Sequence, residues 1–192
     1  KDPGYLANLK ALPRVERERL LDGNWKVRAS AGMYFQRGYF QVVDAAPIGV
    51  RRVRKWDLAG TEPKVGRDPD WTVGLRLSQD HAGRLYVEHM ERFRGSPGRV
   101  EESITNLASS DGRDCVIGLP QDPGQAGKAQ AQHLTRRLPG FTVRVRRETC
   151  SKEKRAEPVS SQAEAGNVFL VRGSWNEAFL SELENFPGGG HD

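Results

Sequence analysis

The run from Cys115 to Leu138 constrains this chain more than any other stretch. Val116, Ile117 and Leu119 form a short apolar run that predicts a buried strand. The turn Asp122-Pro123-Gly124 breaks it, and Gln125 to Leu138 then carries helical periodicity with basic residues in its last turns. A strand that feeds a helix through a tight turn belongs in an open α/β sheet. In such sheets ligand and catalytic groups gather at the carboxyl ends of the strands, because the loops there turn side chains into the crevice above the sheet. Asp122 occupies such a position.

The remaining elements extend that frame. Residues 1 to 28 repeat leucine and valine at helical spacing among Arg and Glu, stopped by Asp22-Gly23-Asn24. Trp25, Met33, Tyr34 and Phe35 follow, and a turn-rich Asp44 to Gly49 closes a segment read as an N-terminal helical arm, residues 1–47, that packs on the core or leads from a preceding domain; an ordinary first helix of the domain is the alternative. From Val50 the texture changes to alternation. Strands are predicted for Arg52 to Ala59, Trp71 to Leu77 and Arg84 to Arg92, joined as a meander through a Pro- and Gly-containing loop, Gly60 to Asp70, and a turn, Gln79 to Gly83. Pro97 to Ser110 is predicted as a helix with Val100, Ile104 and Leu107 on one face. Past Gly140, strand Thr142 to Arg146, helix Glu153 to Gly166, strand Asn167 to Val171 and helix Asn176 to Phe186 complete the order; Pro158 predicts a kink or a late start in its helix. Three meandering strands followed by alternating helices and strands call for a mixed sheet covered by helices, residues 48–192, around one core.

Composition sets the partner class. Charged residues make up 29% and hydrophobic residues 36% of the 192, which suits a soluble globular chain and excludes a disordered one. Arginines cluster at Arg51, Arg52 and Arg54, at Arg92, Arg94 and Arg99, at Arg136 and Arg137, and at Arg144, Arg146 and Arg147. Such clusters fit a polyanion; they also fit a solvated basic face. Cys115 and Cys150 match no disulfide framework or metal spacing, which points to a reducing compartment. No apolar run is long enough to span a membrane. The chain opens on Lys1-Asp2-Pro3 and closes on His191-Asp192, as expected of a fragment.

Asp57 and Asp122 each close an apolar strand. If the two strands are parallel neighbours, the right-handed crossover sets both acids at one sheet end, near enough to share a cation. Asp192, after Gly188-Gly189-Gly190, could be brought to the same place. Carboxylates without a His or Cys cluster favour hard, oxygen-loving ions, Mg²⁺ above all, and a metal pair suits in-line phosphoryl displacement. Against this stands the ordinary use of Asp to start a turn, Asp-Pro-Gly included. Asp70 is a minor candidate as auxiliary ligand, Glu62 and Asp68 read as solvated loop acids, and His81, His89 and His133 are scattered. His191 adjoins a candidate acid. Gly124-Gln-Ala-Gly-Lys128 is not a Walker loop, because only two residues separate its glycines and Ala129 follows the lysine. Lys128 still lies near a helix start, where free N–H groups favour anions.

Trp56-Asp57-Leu-Ala, Leu119 to Lys128, Lys152-Glu-Lys-Arg-Ala-Glu-Pro-Val159, Ala165-Gly-Asn-Val168 and Phe186 to Asp192 together resemble the nuclease domain of the large terminase subunit of tailed bacteriophages. The resemblance reaches into the arm at Pro3 to Asn8 and Leu21 to Trp25, which looks like the tail end of the family's ATPase portion. It implies a ribonuclease H-like fold and a metal-dependent endonuclease that cuts concatemeric double-stranded phage DNA in the host cytoplasm with little sequence preference. It further implies two Mg²⁺ or Mn²⁺ ions held by Asp57, Asp122 and Asp192, phosphate contacts from Lys128, Lys152 and Arg155, and partners in the terminase ATPase domain, the small terminase subunit and the portal protein. No membrane is involved. Without a Walker A motif the chain is expected to cleave and not to translocate. A junction resolvase or RNA-hybrid nuclease of the same fold, and a non-cleaving module that docks DNA or the portal, are the alternatives.

Overall fold

A computed structural model describes residues 3–10, 12, 14–21, 23, 32–59, 70–147 and 149–188. The arm contains two short helices, α1 (Pro3–Lys10) and α2 (Arg14–Leu20), then a 3-10 turn at Arg37–Tyr39 and strand β1 (Gln41–Val43). The meander is β2 (Arg51–Asp57), β3 (Thr72–Gln79) and β4 (Leu85–Phe93). After it come α3 (Pro97–Asp111), β5 (Cys115–Pro120), α4 (Gln125–Arg136), β6 (Val143–Arg146), α5 (Lys152–Glu164), β7 (Val168–Val171) and α6 (Asn176–Asn185). The seven strands form one mixed sheet in the order β1-β7-β4-β3-β2-β5-β6, in which β3 runs against its neighbours and the other pairings are parallel.

Alternation sorts the sheet into two faces. Trp56, Ile117 and Leu119 turn to one side, where Val100, Ile104 and Ala108 of α3 and Leu134 of α4 bury them. On the other side Val87, Leu170 and Val168 pack with Ala163 of α5 and Leu180 of α6. Tyr34, Phe35 and Phe40, from the segment read in sequence as arm, belong to this second core. β1 pairs with β7 from Gln41↔Phe169 to Val43↔Val171. A three-residue strand is too short to show a period, so the sequence offers no sign of it.

Helix α5 starts at Lys152, capped by the Ser151 hydroxyl, and runs through Pro158 to Glu164, where the sequence suggested a kink or a late start. Pro158 is exposed, so the carbonyl it leaves unpaired one turn earlier can turn to water. None of the described helices is long and apolar enough to cross a membrane.

Candidate functional site

The register sets both strand-end acids at one end of the sheet. β2 and β5 are parallel neighbours, with Lys55 opposite Gly118, and Asp57 and Asp122 follow at the same end. Both side chains are exposed.

Each acid is held by its backbone. Trp56, 1% exposed in the core, anchors the residue before Asp57. Just past it, the buried Thr72 hydroxyl accepts from the Ala59 N–H at 3.1 Å and donates to the Ala59 carbonyl at 3.0 Å, which clamps Asp57-Leu58-Ala59 to the start of β3. On β5, the Gln121 N–H donates to the Arg146 carbonyl at 2.9 Å, so the strand stays paired up to the residue before Asp122. Helix α4 then folds back on Asp122 itself. A β-carbon on Gly127 would stand 2.3 Å from the Asp122 carbonyl oxygen and 2.9 Å from its Cβ. Neither is the end of a flexible side chain that could yield. Gly127→Ala is therefore expected to shift Asp122, with a stability loss of about 1–3 kcal/mol from overpacking; thermal melts check it.

Lys55 lies on the face of Asp57, two residues before it. Its side chain crosses β5 at Gly118, where a β-carbon would come 3.2 Å from Lys55 Cδ. Burial lowers the pKa of its ammonium; the Asp57 carboxylate opposes the shift, and Arg155 and Arg146 add to it. Arg146, at the end of β6, lines a groove with Lys55 and Gly118, and Arg155 is in the first turn of α5. Lys152 and Lys128 are exposed in the first turns of α5 and α4, and Lys128 lines a groove with Gln121 and Arg136.

The remaining candidates separate. Asp70 is exposed just before β3, and His81 is exposed in the β3–β4 turn. His133 bonds Glu101 at 2.8 Å, and His89 faces the Arg54 guanidinium at 3.3 Å. Glu62, Asp68, His191 and Asp192 lie outside the described residues. Among the described residues no three His, Cys, Asp or Glu side chains gather into a metal-sized group. Sequence reading passed over Lys55, Thr72 and Gly127. Lys55 had a signal, since strand alternation sets residues 55 and 57 on one face; the other two act through contacts distant in sequence.

A mixed sheet with one reversed strand, helices on both faces and acids closing two adjacent parallel strands defines the ribonuclease H-like class of α/β proteins. The chain belongs to the terminase RNaseH-like domain family, whose model matches residues 54–192. Among solved structures it is similar to the large terminase nuclease from thermophilic phage G20c with bound zinc, at 21% identity over 83% of this chain and 84% of that one, with a TM-score of 0.57. It is also similar to the same nuclease with bound magnesium, at 20% identity over 79% and 72%, with a TM-score of 0.53. No curated protein matches the chain.

Proposed function

We propose that the chain is a metal-dependent endonuclease for double-stranded DNA, the cutting domain of a phage genome-packaging terminase that acts on concatemers with little sequence preference. The observation that carries this reading is the pair Asp57 and Asp122 at the ends of parallel neighbours β2 and β5, within a basic surround. Carboxylate oxygens fit a hard divalent cation. Asp57, Asp122 and Asp192 would hold two such ions, Mg²⁺ or Mn²⁺. The zinc and magnesium in the similar terminase nucleases support a divalent cation here. When bound, such ions stabilise the attacking and leaving oxygens of phosphodiester hydrolysis.

The protein's own part is placement. Thr72 and Gly127 set the two acid-bearing segments, and Lys55 puts a cation beside Asp57. Lys128, Lys152 and Arg155 would take phosphates around the site, giving salt-sensitive affinity with little base preference. The start of the 1–47 segment would lead in from an ATPase region, while its Tyr34 to Val43 part packs with the nuclease sheet of 48–192; the small terminase subunit and portal protein would be partners of the whole motor in the host cytoplasm.

The test is direct. The purified chain should nick and linearise supercoiled plasmid in Mg²⁺ or Mn²⁺, stop in excess chelator, and cut linear duplex at least as well as a four-way junction or an RNA–DNA hybrid. Salt-dependent DNA binding without cleavage at any metal concentration would leave a docking module, and preference for the junction or the hybrid would reassign the substrate.

A further inference from the structure

One cross-strand row runs through Asp57. Asp57 pairs with Val73, and Val73 pairs with Arg92. On the other side, Lys55 stands opposite Gly118; continuing that register by two residues sets Asp57 level with Pro120, which pairs with Arg146. Paired residues share a face, so Arg92, Val73, Asp57, Pro120 and Arg146 form a line across the sheet end with an acid at its centre and an arginine at each end. The shared face shows independently: Lys55, Gly118 and Arg146 line one groove of about 600 Å³, and Arg92 reaches Glu182 of α6 on that side at 3.3 Å.

Four strand spacings separate the two arginines, roughly 19 Å between backbones, with Asp57 about 10 Å from each. That is one duplex width. Arg92 is also preset. Its guanidinium carbon lies 4.1 Å from the centroid of the Trp71 ring, and that of Arg94 lies 4.0 Å from the same centroid. Stacking engages the flat face of a guanidinium and fixes its plane; the N–H edge is the part that bonds a phosphate. Arg146, at the other end, is exposed on the edge strand.

We propose that Arg92, held on Trp71 with Arg94, and Arg146 form a two-sided clamp on the sugar-phosphate backbones of duplex DNA, straddling the sheet end that carries Asp57. The clamp rests on the nuclease reading above and adds residues and a geometry to it. A span of one duplex favours double-stranded DNA, because a single strand following one flank would meet one arm alone. The acid at the centre repels a polyanion by itself, so positive charge on both flanks is what lets the duplex settle there.

The experiment measures binding of the purified chain to a fluorescent duplex of about two helical turns, without divalent metal, across a series of salt concentrations. Arg92→Gln and Arg146→Gln should each lower the slope of log affinity against log salt by about 1, and the double variant by about 2. Arg137→Gln, at the far end of α4, should leave the slope unchanged. With a single strand, the double variant should lose about 1. Arg92→Lys keeps the charge and should restore the slope, and near-ultraviolet circular dichroism reports whether the Trp71 stack survives. Slopes of Arg92→Gln and Arg146→Gln equal to wild type, or an equal loss in Arg137→Gln, overturn the clamp. A wild-type chain that neither binds duplex nor cuts it removes the nuclease reading, whereas one that cuts and binds with unchanged variant slopes removes the clamp alone.

Discussion

Asp57→Ala and Asp122→Ala should each lower metal-dependent plasmid cleavage roughly a thousandfold or more, with the fold intact. The two effects have separate causes. Both carboxylates are exposed at strand ends and neither belongs to the cores beneath, so truncating either should change unfolding free energy by no more than about 0.5 kcal/mol. Added Mg²⁺ or Mn²⁺ should then raise the melting temperature of wild type, because an ion that binds only the folded state stabilises it by mass action. The variants should lose most of that rise. Full activity in either variant would remove these acids from the site; lost activity with an undiminished metal-induced rise would move the ion elsewhere.

Much of this arrangement was readable before the fold was known, and the reason is period. Strands β2 to β4 alternate over seven to nine residues, long enough to separate from helix, and the β5–α4 unit carries its own turn chemistry at Asp122-Pro123-Gly124. Asp57 and Asp122 could be named because strand ends are visible in sequence and the crossover rule ties them to one edge. What escaped depends on side chains meeting across long sequence gaps. Gly127 reads as an ordinary glycine in a helix start, and only the return of α4 onto Asp122 explains it. Arg54 reads as one of several arginines in a basic strand, yet it points to the same side as Trp56 and is 1% exposed. Asp111 reads as a helix stop before Gly112, and its partners lie 57 and 35 residues away.

Those last two residues carry the largest expected loss of stability. Asp111, at the end of α3, takes both nitrogens of the Arg54 fork, one Oδ from Nε and the other, at 2.9 Å, from a terminal nitrogen; Arg76 donates to it as well, at 2.8 Å. Arg54 also donates to the Gly74 carbonyl at 2.9 Å. The Arg54 and Asp111 side chains are each 2% exposed. Asp111→Ala strands a buried guanidinium that cannot shed its proton, and the expected cost is about 3–5 kcal/mol, read as a lower denaturation midpoint. Arg54→Met combined with Asp111→Leu removes both charges and should cost less than Asp111→Ala alone, since the desolvation penalty goes with the pair. If the double variant is the less stable, the cluster stabilises through more than mutual neutralisation. Acid titration adds a second readout. Burial pushes the Asp111 carboxyl up, but Arg54 and Arg76 bring it below its ordinary value. Its contribution is therefore present above the ordinary carboxylate range and lost as pH falls through the depressed folded value. His89 acts in the same direction, kept neutral by burial, with the two arginines adding to the shift, so protonation of the unfolded chain near and below pH 6.5 favours unfolding. Wild type should weaken steadily on acidification, and Asp111→Ala should show a shallower decline below the histidine range.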